Sequence, residues 1–397
     1  MKTRDVVITV VLSNIVTIGV AIFIVNALRT SEPQVQKEQP VYIKEVLPAP
    51  TASVAADKPA VNKEAVFALL DAGRENRKKE AIKEFKKVMQ DVPPYDTLIP
   101  ATNGYRVAMD GDIAEAVKVT QKDIAQDPSR MEYRYTLAWI HAKVGDYDSA
   151  LRECNEMLAL GSKYLKMNYL LGWIYAKQGK YDDASKACDT ALTAEPHSAS
   201  LYYAKGRIED LKGNTDKAVE FYTKTISLKN DFYTAYIFLG FLYTELGRND
   251  EAVATFKQAI GLDRYKPAGY VGLGLVYDET NNYRAALKQY NDAITLGFVS
   301  VNVVTQNKSL LTTIGVDDAI IYNRIGILNI RLGDYQEARY AFSQAIEARQ
   351  EFHESYRGLV LCNLLLGDKE SAMKAYDEFK ILDAEMAKSV APFVKQN

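Results

Sequence analysis

The sequence is poor in the residues that most often carry chemistry. Its 397 residues include three cysteines, three histidines and two tryptophans. Cys154, Cys188 and Cys362 are too few and too widely spaced for a disulfide framework or a zinc site. No nucleophile–base pair and no carboxylates at metal-ligand spacing stand out. We therefore expect a chain that is not an enzyme and that carries no cofactor and no metal.

An excess of one charge sign is also missing. The 49 Lys and Arg residues nearly balance 51 Asp and Glu residues, which leaves a formal net charge of −2. Proteins that bind nucleic acid usually carry a basic surplus on one face or along one helix. The composition therefore predicts no nucleic-acid partner.

One long uncharged run is present, at residues 6–28, after a short tail of residues 1–5. As a helix it would be roughly 35 Å long, enough for a hydrocarbon core of roughly 30 Å. The apolar part of a cleaved signal peptide usually has about 7–15 residues. The length therefore favours a retained transmembrane signal anchor, with a cleaved signal peptide as the alternative.

The flanking charges bear on topology. Lys2 and Arg4 are dense in the short tail, although more basic residues in total follow the helix, so the positive-inside rule only leans toward a cytoplasmic amino terminus. This predicts a single-pass protein of a bacterial inner membrane whose main part faces the periplasm. Small and polar side chains at close spacing in the run could form a dimer face, or could simply be tolerated polar residues. These residues are Ser13, Asn14, Thr17 and Ala21.

Residues 29–61 are rich in Pro and Ala and show no helical period. Proline-rich segments favour extended polyproline conformations, which act as semi-rigid spacers. This segment is therefore predicted to be a linker that holds the rest of the chain away from the membrane.

A repeat of 34 residues fills the remainder of the chain. Alanines recur at this spacing, with one interval of 52 residues, at positions 116, 150, 184, 218, 252, 286, 338 and 372. Glycines keep the same spacing, five and twelve residues before most of these alanines. A fixed period of this length indicates stacked supersecondary units that bury a continuous core between neighbours.

The segment from Leu171 to Pro196, LGWIYAKQGKYDDASKACDTALTAEP, resembles the tetratricopeptide repeat. The resemblance covers residues 62–386 and implies an all-α fold, a right-handed solenoid of helix-turn-helix units. Units one to six would occupy residues 97–300, and units seven and eight would occupy residues 319–386. The glycines of GYVGLGLVY then belong to the repeat rather than to a phosphate-binding loop.

Three segments depart from the repeat. Residues 62–95 lack both glycines and carry a basic run, which suggests a degenerate capping unit. Residues 301–318 interrupt the array as an extra helix, a hinge or a loop. Residues 387–397 are predicted to be a C-terminal tail.

The resemblance implies that inward-facing positions of the first helices bind the ligand. An aromatic stripe edged by basic residues would suit an apolar peptide or helix with nearby acidic residues. Alternatively, these aromatic side chains only pack between adjacent first helices. The residues concerned are Tyr135, Trp139, Lys143, Tyr169, Trp173, Lys177, Tyr203, Arg207, Ile237 and Phe241.

These observations predict a membrane-tethered scaffold that binds a peptide or helix segment of a protein partner in a concave groove. By family analogy its setting would be the assembly of envelope complexes, such as pilus, secretion or surface-polymer machinery. Two alternatives stay open: a structural membrane protein that self-associates, as a homodimer for example, and a regulatory subunit of a membrane enzyme.

Overall fold

Helices account for nearly all of the chain that the computed structural model describes, which is residues 62–72, 74–90, 102–159, 166–304 and 318–395. No strand occurs within these ranges. The helices are α1 Lys63–Asp71, α2 Arg74–Gln90, α3 Asn103–Met109, α4 Ile113–Gln126, α5 Met131–Lys143, α6 Tyr147–Ala159, α7 Lys166–Lys177, α8 Tyr181–Ala194, α9 Ala199–Lys212, α10 Thr215–Leu228, α11 Tyr233–Glu245, α12 Asn249–Leu262, α13 Pro267–Glu279, α14 Tyr283–Val304, α15 Asp318–Leu332, α16 Tyr335–Ala348, α17 His353–Leu365, α18 Lys369–Leu382, α19 Ala384–Ala387 and α20 Ala391–Lys395.

From α3 to α18 the helices pack as successive pairs. Each first helix packs against the second helix of its pair, and that second helix packs against the first helix of the next pair. The prediction of an all-α solenoid built from helix pairs is confirmed. Within the described chain, no helix is both long enough and apolar enough to cross a membrane. Residues 6–28 and their dimer face (Ser13, Asn14, Thr17 and Ala21), like the linker 29–61, lie outside the described residues.

The first helices form the inner, concave side of the array. In most neighbouring pairs the two first helices also contact each other, whereas contacts of that extent do not occur between successive second helices of the described chain. The array is therefore narrower along its first helices. A ligand in the concave surface would meet side chains of α3, α5, α7, α9, α11, α13, α15 and α17.

The turn inside each pair requires a left-handed residue. The glycine of the repeat adopts this conformation in most units, with φ of 70° at Gly247 and 89° at Gly333. The sixth unit has Asn281 at this place, with φ of 60°. Asn tolerates the left-handed region better than other residues that carry a Cβ atom. Its side chain also has a contact that no glycine could make, described below.

The repeat alanines and the second set of glycines allow close packing. All eight repeat alanines are fully buried. A Cβ atom on Gly272 would lie 2.2 Å from the ring of Phe256, and one on Gly274 would lie 2.9 Å from the ring of Tyr290. Both rings are fully buried. The glycines of GYVGLGLVY are therefore packing residues.

Gly272→Ala is expected to lower the thermal unfolding midpoint. Overpacking against the fixed Phe256 ring costs about 1–3 kcal/mol, which exceeds the gain of up to about 1 kcal/mol in helix propensity. Gly261→Ala is the matched control, because a Cβ atom there meets nothing within 4 Å. Circular dichroism melting should show a lower midpoint for Gly272→Ala alone. Equal shifts for the two variants would contradict the packing role.

The junction after the sixth unit is a packed interface. Residues 301–304 of the predicted insertion continue α14, and residues 305–317 lie outside the described ranges. Helices α14 and α15 pack directly against each other. Ile320, Ile321 and Ile325 of α15 join the same buried cluster as Ala286 of α14. The sixth and seventh units therefore share a continuous core.

The structure corrects two predictions about the ends of the array. Residues 387–395 are not a free tail, because Val390 and Val394 are buried in a cluster with Phe379. Residues 62–90 do not cap the array as a degenerate repeat. They pack along the fourth to eighth units instead, where Lys86 pairs with Asp210 and Glu245 and the Lys63 ammonium group lies over the ring of Tyr335.

The three cysteines are core residues. Cys154, Cys188 and Cys362 are free thiols and fully buried. Burial raises the pKa of each of these thiols to about 12. Within the described ranges, no group of three His, Cys, Asp or Glu residues is placed to hold a metal ion.

Candidate functional site: the concave surface

Most of the predicted binding residues contribute to the core between first helices. Tyr203 of α9 packs against Phe238 of α11, with ring centroids 6.0 Å apart, and Trp139 of α5 packs against Tyr105 of α3 at 5.1 Å. The alternative of packing between adjacent first helices therefore describes these two residues. The predicted residues that are buried are Tyr135, Trp139, Tyr169, Tyr203, Ile237 and Phe241.

The predicted basic residues lie beside aromatic rings. Lys143 Nζ lies 5.2 Å from the ring centroid of Trp139, and Lys177 Nζ lies 5.8 Å from that of half-buried Trp173. The guanidinium of Arg207 lies 4.0 Å from the ring centroid of Phe238. These cation–π contacts hold three positive charges along the second to fourth units. The binding role of these residues stays a prediction.

A helix of the same chain lies on the next part of the concave surface. Helix α2 contacts α11, and the ring of Phe85 stacks on that of Phe241 with centroids 6.1 Å apart. Ile82 is fully buried and Phe85 is 2% exposed. Phe241 was predicted to contact a bound segment, and here its neighbour is this internal helix.

Lys86 joins α2 to two first helices. Its Nζ donates to Asp210 Oδ1 of α9 at 3.0 Å and to both carboxylate oxygens of Glu245 on α11 at 3.0 Å. The Lys86 side chain is 9% exposed. Two carboxylates thus compensate one largely buried ammonium group, which would otherwise be costly to bury.

The other end of α2 meets a second acidic pair on α13. Arg74 Nη2 lies 3.6 Å from Asp278 Oδ1, and Lys78 Nζ lies 3.7 Å from Glu279 Oε2. Arg74 Nη1 also donates to Asn281 Oδ1 at 3.0 Å. The left-handed turn residue of the sixth unit is therefore also a contact for α2.

Helix α1 continues along the surface to the C-terminal units. Asp71 forms an ion pair with Arg331 of α15, and the guanidinium of Arg331 lies 5.2 Å from the ring centroid of Phe67. Val66 and Leu70 are buried in the cluster that contains α17 and α18 residues. Residues 62–90, which we call the groove-bound segment, thus follow the concave surface from the fourth unit to the eighth.

A buried ion pair inside the array also contacts this segment. Arg324 Nη1 of α15 lies 3.1 Å from Asp278 Oδ2, and both side chains are less than a tenth exposed. Arg324 Nη2 donates to the carbonyl oxygen of Arg77 at 2.9 Å. Asp278 therefore bridges cations from two directions, Arg324 of the array and Arg74 of α2.

Covering the acidic residues has an electrostatic cost. Burial raises the pKa of Glu245, an effect that Asp210 reinforces and Lys86 opposes. Burial also raises the pKa of Glu279, against the influence of Lys78 and Arg74. Desolvation disfavours a charged carboxylate even beside a cation. The groove-bound segment is therefore held by charge pairs whose gain is partly offset by lost hydration.

The sequence contains a signal for this acidic surface that the resemblance did not bring out. Asp210 and Asp278 are 68 residues apart, which is two repeats, and Glu245 and Glu279 are one repeat apart. Glu245 also occupies the register of Lys143 and Lys177. The edge of the concave surface therefore changes from basic in the second and third units to acidic in the fifth and sixth. This change of charge is visible in the sequence when the register of Lys143 and Lys177 is followed to Glu245 and Glu279.

Comparisons with known proteins agree with this architecture. Two models described as tetratricopeptide repeat match the chain, one over residues 169–231 and 323–387 and the other over residues 233–266 and 267–296. No curated protein sequence matches the chain. The structure of the APC/C hetero-tetramer Cut9-Hcn1 has a TM-score of 0.51 at 17% identity, over 73% of this chain and 53% of that chain.

Yeast Tom70 has a TM-score of 0.50 at 16% identity, over 81% of this chain and 72% of that chain. The chain thus spans about half of the length of the first structure and more of the second. At such identities the likeness concerns the fold. The 34-residue period, the helix pairs with left-handed turns and the matching family models together show that the chain belongs to the tetratricopeptide repeat family.

Proposed function

We propose that this protein is a membrane-tethered protein–protein interaction scaffold that binds a peptide or helix segment of a partner on its concave surface. The observation that supports it is α2 itself. A helix lies on this surface through ring stacking on Phe241 and ion pairs to Asp210 and Glu245. The surface therefore has the width and the chemistry to hold a helix, which is a common mode of peptide recognition.

The partner segment is assigned to the second and third units. The side chain of Trp173 is half-buried, and Lys177 holds a positive charge beside its ring. Aromatic residues that offer both an apolar body and a nearby charge are frequent anchors of interfaces. A partner segment with an apolar side chain near acidic residues would complement this pair.

The tether is assigned to residues 6–28, with residues 29–61 as a spacer of up to roughly 100 Å. This arrangement would hold the array in the periplasm beside an inner membrane, with the binding surface free to reach a neighbouring complex. Assembly of envelope machinery such as a pilus, a secretion system or a surface polymer is the setting we propose, on family analogy.

A photo-crosslinking residue at position 173 tests the binding role in living cells. We expect a discrete crosslinked partner there, and none from the same probe at Asp183, which is exposed on α8, a second helix. Adding Lys177→Glu should weaken the crosslink, because it reverses the charge beside the ring. The partner's own compartment also tests the proposed topology. Identical products from both positions, or crosslinks only between copies of this chain, would overturn the proposal in favour of self-association.

A further inference from the structure

We propose that the acidic groove, formed by Asp210, Glu245, Asp278 and Glu279 around Phe241, binds a basic amphipathic helix of a partner protein, and that α2 is a built-in competitor for it. This inference rests on the proposed function, because it names the chemistry of one partner segment. It adds a second binding surface to the one around Trp173. This second surface is acidic, whereas the surface around Trp173 is basic.

The side chains by which α2 meets the array follow one helical face. Arg74, Lys78, Ile82 and Phe85 are spaced by three or four residues, which places them along one side of the helix. Lys79 and Lys83 lie elsewhere on α2 and are 67% and 71% exposed in their side chains. The acidic groove therefore contacts one face of α2.

Charge dominates the contact over residues 74–86, the part of α2 whose side chains the structure describes. Ile82 and Phe85 are the large apolar side chains buried there, while Arg74, Lys78 and Lys86 contribute ion pairs. Part of the electrostatic gain is lost to desolvation of Glu245 and Glu279. A basic helix of a partner could therefore replace α2 in the groove without any repacking of the hydrophobic core of the array.

Helix α2 is placed so that it can dissociate while the helix pairs of the array stay packed. Each first helix already packs against its own second helix and against a neighbouring pair. Helix α2 adds a layer on the concave side and is not part of a helix pair of the repeat. Its removal would uncover Phe241 and four carboxylates but would leave every pair of the array in contact.

The required partner chemistry can be read from α2. It is a helix with a basic residue, a second basic residue four positions later, an apolar residue eight positions later, and an aromatic–basic pair at positions eleven and twelve, as in Arg74, Lys78, Ile82, Phe85 and Lys86. Acidic or uncharged helices would leave the groove carboxylates covered without a counter-charge, which is strongly unfavourable.

A fluorescein-labelled synthetic peptide of residues 74–90 provides a probe for the full-length protein in detergent, with fluorescence anisotropy as the measurement. The release variant, Phe85→Ala with Lys86→Glu, should bind this peptide about tenfold more tightly than the wild type, because the competitor is weakened. Adding Asp210→Lys and Glu245→Lys to the release variant should remove this gain. A peptide that carries the same two changes, Phe85→Ala and Lys86→Glu, should bind neither the wild type nor the release variant.

Lys83→Glu is the matched control, since it changes the net charge as Lys86→Glu does but at an exposed position. It should leave peptide affinity at the wild-type value. A charge-swap variant covers the case in which the release variant is misfolded. Lys86→Glu with Asp210→Lys and Glu245→Lys restores opposite charges, so its trypsin resistance within α2 should exceed that of Lys86→Glu alone.

The inference is overturned if a release variant with a native circular dichroism spectrum gains no peptide affinity, or if the groove reversals leave that gain intact. An unimproved charge swap would overturn it as well. Should the crosslink at position 173 persist in those cases, the proposed function stands without the acidic groove. Peptide binding without any crosslink at position 173 would support the acidic groove and refute the proposed partner site at Trp173.

Discussion

Asp278→Ala is expected to lower the free energy of unfolding by about 3–5 kcal/mol, because it removes one partner of a buried ion pair. Arg324 lies 3.1 Å from this carboxylate and its side chain is 6% exposed. The guanidinium cannot lose its proton near neutral pH, so it would keep an uncompensated charge in a low-dielectric site. Arg74 would lose an ion-pair partner at the same time.

Chemical denaturation of the purified protein provides the measurement, with the pair Arg248–Glu251 as control. Those side chains are 44% and 49% exposed, so solvent screens the pair and Glu251→Ala should change the free energy of unfolding far less than Asp278→Ala. The double replacement Asp278→Leu with Arg324→Met should recover most of the loss, because it removes both charges together. A loss as large for Glu251→Ala as for Asp278→Ala would refute the buried-charge explanation.

Phe256→Ala is expected to cost about 3–5 kcal/mol. The ring is fully buried and lies where Gly240 and Gly272 have no side chains, so a Cβ atom on either would come within 2.6 Å of it. Two glycines cannot fill the space that the missing ring would leave. The cavity should therefore persist instead of collapsing.

Amide hydrogen exchange localises this effect as well as measuring it. In a repeat array each unit contacts mainly its neighbours, so faster exchange should be confined to the helices around the fifth and sixth units. Tyr265→Ala, at a side chain 64% exposed, should leave exchange unchanged. Faster exchange spread evenly over all units would show that the ring does not act locally.

The repeated features of the fold could be predicted from sequence because their causes are local. The alanine at position 252 and the glycine at position 247 act within one helix pair, and their spacing repeats the geometry of that pair. Asn281 broke the glycine series, and only the backbone angle showed that it performs the same turn. The C-terminal helices were missed because residues 387–395 are too short for a clear helical period.

The site was predicted less completely, because it depends on contacts between distant segments. A helical period indicates which residues share a face, but Tyr203 is covered by the neighbouring first helix and so is not open to a ligand. The basic face of α2 carries no sign, in its own sequence, that Asp210 and Glu245 are its partners. Local pattern therefore assigned residues 62–95 to the end of the array, as a degenerate capping unit.

The groove-bound segment also sets an order of events during synthesis. Contacts inside the array join residues about one repeat apart, whereas Lys86 pairs with a residue 124 positions later and Asp71 with one 260 positions later. Contacts at such separation form late, because the intervening chain must fold first. On the ribosome the segment emerges before any of its partners, and repeat units fold as they follow it. The newly made chain therefore carries a basic helix without its acidic partners until α9, α11 and α13 have been made.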